Sequence, residues 1–219
     1  MDILGAIKAR HTVRRYTDKP IPKELVEKLN KRIRDNNENH NMNIRLIVGS
    51  SDGLDGFAKL VMGKGVNNYI ALAGPDDGSL GEKAGYCGAD IMLYAQILGL
   101  NTWWIGGMYS KKAVVRDTDG GCPVGVIAVG YGMTQGVQHR MKTSGDISFY
   151  DGEEPEWFKH GVDALLLAPT AMNRMAFTVK GRGNKVSITC KNGIMSDVDM
   201  GIGKYFFEAG AGKDNFEWA

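Results

Sequence analysis

The 219-residue sequence predicts an α+β fold. Three observations carry that reading. Residues 80–98 place Ala84, Cys87, Ile91, Tyr94 and Leu98 at steps of three and four, the spacing of one helix face. Val124–Val129 is an unbroken apolar run, as in a strand buried on both faces. Phe177–Val179 and Val186–Thr189 read as two strands joined by the turn Gly181–Asn184.

The other elements follow in order. Residues 2–10 form a helix, with Asp2 well placed near its start. Pro22 opens a second helix, whose apolar stripe is Leu25, Val26, Leu29 and Ile33. The Asn-rich run Asp35–Asn41 is polar and predicts a loop. Strands are expected at 44–48 and 69–73. In the 80–98 helix, the small residues Gly85, Gly88 and Ala89 predict close packing of another helix, and Gly99 suits its C-terminal cap. Leu100–Gly107 is apolar and aromatic and ends in two glycines, and 110–117 predicts a short helix. The 124–129 strand stops at Gly130-Tyr131-Gly132 and gives way to a polar segment carrying Arg140 and Lys142. Residues 143–155 read as a surface connection. Trp157–Ala168 is a helix that ends before Pro169, because a residue preceding proline disfavours the α region. Ser196 with Asp199 resembles a capping box and opens a helix with the stripe Val198, Ile202, Tyr205 and Ala209. Phe216 and Trp218 lie near the end and are expected to dock on the body. No periodic repeat is present, although helix–turn–strand patterns occur in both halves.

Composition excludes several classes. A net charge of +2 gives no electrostatic case for nucleic acid or an acidic membrane surface. No apolar run approaches the roughly 20 residues of a membrane span, and the start Met1-Asp2-Ile3-Leu4 lacks a signal-peptide pattern. Three scattered cysteines, Cys87, Cys122 and Cys190, argue against a disulfide framework and for a reducing cytoplasm. His11, His40, His139 and His160 form no metal-ligand spacing, so no metal is expected. Gly-x-Ser-x-Gly and Walker A patterns are absent. Gly130–Gly136 follows a strand, as a dinucleotide loop would. It does not open into an amphipathic helix, and no strand-end acid follows about 20 residues on, so it reads as a glycine turn.

Chemistry concentrates elsewhere. Arg10-His11-Thr12-Val13-Arg14-Arg15-Tyr16 holds three arginines, a histidine and a threonine. Guanidinium forks and a hydroxyl are what a phosphate needs. The same residues also suit a solvated basic helix end, which is the reading for Arg15. Arg140 and Lys142 form a second basic pair. Gly106 and Gly107 offer backbone N–H groups with no side chain in the way, or mark a loop turn. Pro169-Thr170-Ala171-Met172-Asn173 supplies a hydroxyl and an amide, or is only a turn after a helix. A phosphate clamp, a bare backbone platform and an amide together suit a flat cofactor of mononucleotide size.

These pieces resemble the nitroreductase-like FMN-dependent oxidoreductases. Arg10–Arg14 resembles the family's N-terminal phosphate motif, and Leu98–Gly107 its Gly-Leu-Gly-Thr-x-Trp-Ile-Gly-Gly segment. Ile127–Gly132 resembles its Ile-Ala-x-Gly-Tyr-Pro strand end, with Arg140 where a late basic residue is usual. Pro169–Asn173 resembles Pro-Ser-Ala-x-Asn, but comes last here instead of early. That rearranged order is similar to the TM-type nitroreductase subgroup. Arg174-Met175-Ala176 replaces the usual Gln-Pro-Trp that follows.

The resemblance implies a nitroreductase-like FMN fold: a central, mostly antiparallel sheet flanked by helices. It implies one domain over 1–219, or two pseudo-equivalent halves, 1–142 and 156–219, joined at 143–155. The implied activity is ping-pong hydride transfer from NADH or NADPH through FMN to a nitroaromatic, quinone or similar small acceptor. The cofactor carries the chemistry, so no catalytic side chain is assigned. Arg10, His11, Thr12, Arg14, Arg140 and Lys142 would contact phosphate and ribityl. Gly106, Gly107, Pro169, Thr170, Ala171 and Asn173 would border the ring. Family sites form between two subunits, which implies a homodimer or a single-chain pseudo-dimer. A flavin-binding or sensing protein without turnover, and an NAD enzyme using 130–136, are the rival readings.

Overall fold

The computed structural model describes all 219 residues. Eight strands form two four-stranded sheets. The first comprises β1 (Arg45–Val48), β2 (Asn68–Gly74), β3 (Asn101–Ile105) and β4 (Cys122–Gly130) in the order β1-β2-β4-β3. All its neighbours are antiparallel. The second comprises β5 (Ser148–Asp151), β6 (Phe177–Arg182), β7 (Lys185–Cys190) and β8 (Glu217–Trp218), in chain order. Only β6–β7 is antiparallel there, and both outer pairs are parallel. The fold is α+β as expected.

The first sheet is covered on both faces. Ile70, Leu72, Ile127 and Val129 point to one side, where α2 (Lys23–His40) and α3 (Leu80–Ile97) contribute Leu29, Ile33 and Ile91. Tyr69, Ala71, Val126 and Ala128 point to the other, under Val13, Tyr16 and Leu54. Successive residues of a strand face opposite ways, so an apolar run with no alternation is what a doubly covered strand requires. The second sheet packs on α6 (Glu156–Leu166) and α7 (Ser196–Ala211) through Phe158, Phe206 and Phe207. Ala6 and Ile7 of α1 (Ile3–Ala9) join that same core.

α3 and α7 cross at glycines. A Cβ at Gly85 would stand 2.1 Å from Val198 O, and one at Gly201 would stand 1.9 Å from Glu82 O. Close backbone approach explains the small residues read from the sequence. A polar network closes the same seam: Asp90 takes two hydrogen bonds from Arg32 of α2 and one from Tyr205 of α7.

Several boundaries differ from expectation. α2 runs through the Asn-rich stretch, because Asn36 donates to Arg32 O and Asn37 brackets the Ile44 backbone from both sides. Asn41 then ends the helix with φ 52°. Leu100–Gly107 contains strand β3. Residues 143–155 hold a helical turn, α5 (Ser144–Ile147), and edge strand β5. The β6–β7 connection is the pair Gly183-Asn184, with Gly183 at φ 55°, while Gly181 belongs to β6 and pairs with Val186. α4 (Lys111–Asp117) is capped by the Ser110 hydroxyl, which accepts from Ala113 N. Phe216 and Trp218 dock as expected: Phe216 stacks on Trp157 at 5.7 Å, and Trp218 donates to Glu208. No helix is long and apolar enough to cross a membrane.

Candidate functional site

Residues 10–17 leave α1 as an irregular extended segment. Val13 and Tyr16 anchor it in the core. Val13 N donates to Thr102 O at 3.1 Å, Lys64 N donates to Arg14 O at 2.9 Å, and Tyr16 N donates to Lys64 O at 2.8 Å. Thr12 lies beside Thr102 at the start of β3, and the Arg14 guanidinium stands 5.6 Å from the Trp103 ring.

Arg10 is the outlier. It is 3% exposed, and its Nε has no hydrogen-bond partner. No carboxylate pairs with it, or with Arg14, Arg15, Arg140 or Lys142. Burial lowers the Arg10 pKa to about 10, so it remains a cation at neutral pH. A buried, unpaired cation is costly, and an anion placed against it relieves the cost. Thr102 Oγ1 is a second buried atom without a partner beside the same segment. His11 and His139 are both held below the ordinary histidine value, by burial first and then by the Arg10 charge. They are neutral at pH 7, so each ring can donate one hydrogen bond and accept another.

His139 carries the chain across to the other group of expected residues, with its Nε2 3.2 Å from Leu166 O. Asn173 Nδ2 donates to Arg140 O at 2.9 Å, and Lys142 Nζ donates to Met175 O at 2.8 Å. The polar 139–142 stretch is thereby fastened along the 169–175 turn. In that turn Thr170 Oγ1 accepts from Met175 N at 3.0 Å, and Ala171 N donates to Asp199 Oδ1 at 2.8 Å. Met172, Asn173 and Met175 all have positive φ, at 55°, 55° and 44°. Left-handed conformations at non-glycine residues cluster at functional sites.

Gly106 and Gly107 sit beyond the opposite end of β3 from Thr102, four residues on, or about 13 Å at ~3.3 Å per residue. They border a cavity of about 690 Å³ shared with the first turns of α3 and α7. Met195 closes on Gly106, where a Cβ would stand 2.8 Å from its Cε. Met195 occupies the N-cap position of α7 with φ 60°, so Ser196 is the first helical residue and the expected Ser196–Asp199 capping box does not form. Asp199 instead holds Ala171. The first turn of α7 thus touches both ring-side elements, Gly106 through Met195 and the 169–173 turn through Asp199.

Sequence reasoning missed several residues of this arrangement, Lys64 and Asp199 among them. Lys64 lies in a glycine-rich stretch with no periodicity, and only the backbone bonds to Arg14 and Tyr16 bring it here. Asp199 is 3% exposed, and its spacing from Ser196 reads only as a helix cap. Burial pushes its carboxyl up to about 6, against the pull of the Ala171 N–H and the Arg174 charge.

Residues 2–211 match the family model described as "Putative TM nitroreductase". The chain belongs to this nitroreductase family. A crystal structure of a "putative nitroreductase" from Thermotoga maritima is similar, with TM-score 0.70 and 21% identity, over 98% of this chain and 85% of that one. A nitroreductase-type protein from Exiguobacterium sibiricum, solved in complex with FMN, aligns at TM-score 0.53 and 16% identity over 67% of this chain and 95% of that one. A "Putative NADH dehydrogenase/NAD(P)H nitroreductase" from Parabacteroides distasonis aligns at 0.51 and 23%, over 66% and 95%. At these identities the structures show the nitroreductase fold. No curated protein matches the sequence.

The residues around Arg10 fit a phosphate-bearing group. The orphaned Arg10 Nε calls for an anion, and β3 leads from it to the Gly106 platform.

Proposed function

We propose that this nitroreductase-family chain is an FMN-dependent oxidoreductase, using NADH or NADPH to reduce a nitroaromatic, quinone or similar small acceptor. The observation that carries the reading is Arg10, a buried guanidinium with neither carboxylate nor hydrogen-bond partner on Nε. Membership of the family and the FMN held by one fold relative support the identity of the ligand.

Bound FMN supplies hydride transfer in two half-reactions, which makes the overall reaction ping-pong. The chain's own residues bind and orient. Arg10 and Arg14 take the phosphate, as fork-shaped donors that suit its oxygens. His11 and Thr12 add neutral donors beside them, and Arg140 and Lys142 bring two further cations to the ribityl side. Gly106 and Gly107 present bare backbone to the ring. Thr170, Ala171 and Asn173 face it from the second sheet's side, following Pro169. On this reading either one chain supplies both walls that family homodimers divide between subunits, as a pseudo-dimer of two halves, or a homodimer completes the site.

Reconstitution tests this reading. Purified protein incubated with FMN and desalted should stay yellow, bleach with NADH or NADPH, and recover colour with a quinone. A colourless protein under those conditions contradicts it. The second reading, flavin binding without turnover, is favoured by Met175, whose side chain is 1% exposed in the second-half core and offers the pocket no polar contact. FMN retained but not bleached by either dinucleotide would establish it.

A further inference from the structure

A second cavity, of about 510 Å³, opens between Arg15 and the segment 51–67. Arg15, Lys59 and Lys64 line it, and no carboxylate does. Arg15 and Lys64 have no ion pair, and the carboxylate nearest Lys59 is Asp52, at 3.9 Å. Ser51 and Asn67 add neutral polar groups, and Leu54 and Leu60 give apolar wall. Volume, apolar wall and convergent polar groups are those of a small-molecule site.

This cavity is separate from the Arg10 clamp but braced against it. Lys64 is bonded through its backbone to Arg14 and Tyr16. Consecutive residues of an extended segment face opposite ways. Arg14 goes to the Trp103 ring, while Arg15 goes to the cavity. Three like charges around one space repel, and the repulsion is relieved most by a doubly charged anion. A phosphomonoester carries about −1.5 to −2 at pH 7, whereas each phosphate of a pyrophosphate diester linkage carries a single charge. The apolar wall suits a purine.

We propose that the Arg15–Lys59–Lys64 cavity binds the 2′-phosphoadenosine end of the electron donor, and that NADPH is therefore the preferred dinucleotide. This rests on the oxidoreductase reading above. The phosphomonoester is the recognised group, and the adjoining apolar wall holds the base.

Calorimetry on the FMN-loaded protein tests it with NADP⁺, NAD⁺ and inorganic phosphate as probes, the two dinucleotides differing only in the 2′-phosphomonoester. NADP⁺ should bind about tenfold or more tighter than NAD⁺, the scale of one charge-assisted contact. Arg15→Ala and Lys59→Ala should each remove most of that margin while flavin content stays at the wild-type level. The NADPH-to-NADH ratio of kcat/KM should fall with it. Equal binding of the two nucleotides would overturn the proposal. So would inorganic phosphate binding as tightly as NADP⁺, which marks a plain anion site. Loss of flavin from Arg15→Ala would assign the cavity to the FMN phosphate and overturn it as well. The nucleotide titrations need no redox chemistry, so a wild-type protein that retains no FMN is a separate result, against the oxidoreductase reading alone.

Discussion

Asp199 accepts the Ala171 N–H at 2.8 Å, tying the first turn of α7 to the strained turn on the ring side of the site. The carboxyl is buried, with the Arg174 charge and the Cys190 thiol near it. Burial raises its pKa from 3.8 to about 6, so between those values the folded state binds more protons than the unfolded chain. Stability due to this group is greatest below about pH 4 and is lost as pH rises towards 6. Asp199→Asn does not titrate. Its urea midpoint should converge with wild type near pH 4 and exceed it by about 2–3 kcal/mol equivalent above pH 6. Asp199→Ala leaves the Ala171 N–H without an acceptor and should cost about 1–3 kcal/mol. Parallel wild-type and Asp199→Asn curves across pH 4–7 would show that the carboxyl is unperturbed.

Arg10 should oppose stability and binding to each other. Without a ligand it is an uncompensated buried cation, so Arg10→Met should leave the flavin-free protein as stable or raise it by about 1–4 kcal/mol. The same change should release FMN. Thermal melts of both forms, with flavin content by absorbance, check this. A large loss of stability in flavin-free Arg10→Met would mean that the guanidinium is satisfied by the fold itself.

The α3–α7 crossing should tolerate no added methyl. A Cβ at Gly85 or Gly201 meets backbone oxygen, which cannot swing aside as a side-chain end would. Gly85→Ala and Gly201→Ala should each cost more than the ~1–3 kcal/mol of ordinary overpacking. Gly145→Ala is the control, since its Cβ would meet nothing within 4 Å, and it should be neutral or slightly stabilising. Chemical denaturation of the three proteins separates a crossing effect from a general glycine effect.

Met172 is 81% exposed yet held at φ 55°. Glycine adopts that conformation without a Cβ penalty, so Met172→Gly should raise the unfolding free energy by about 1 kcal/mol. An unchanged or lower midpoint would show that the methionine side chain contributes more than the backbone conformation costs.

Periodicity made the body of the fold legible. α3 and residues 125–130 of β4 carry clear patterns because they are largely buried, and burial is what patterning records. The losses occurred where side chains serve the backbone. Asn36 and Asn37 look like loop residues until their amides are seen bonded to Arg32, Ile44 and Asp90. The short edge strand β5 pairs on one side only, so half its hydrogen bonds leave no apolar signature. Asp199 at the fourth position of α7 matches a cap by spacing alone, but the residue before the helix, Met195, is left-handed and the carboxylate turns to Ala171. At the site, the Arg10–Arg14 segment was legible because phosphate chemistry needs particular residue types in a short span. Lys64 and Asp199 were not, because tertiary contacts alone bring them there.

The central claim is that the Arg10 clamp holds the phosphate of FMN. Parallel fluorescence titrations with FMN and riboflavin, which differ only in that phosphate, test it most directly. Wild type should bind FMN at least about 100-fold tighter than riboflavin, the sum of two charge-assisted contacts. In Arg10→Ala/Arg14→Ala, affinity for riboflavin should be retained and the margin should collapse. A wild-type protein that binds FMN and riboflavin equally, or a double variant that keeps the full margin, would contradict the account.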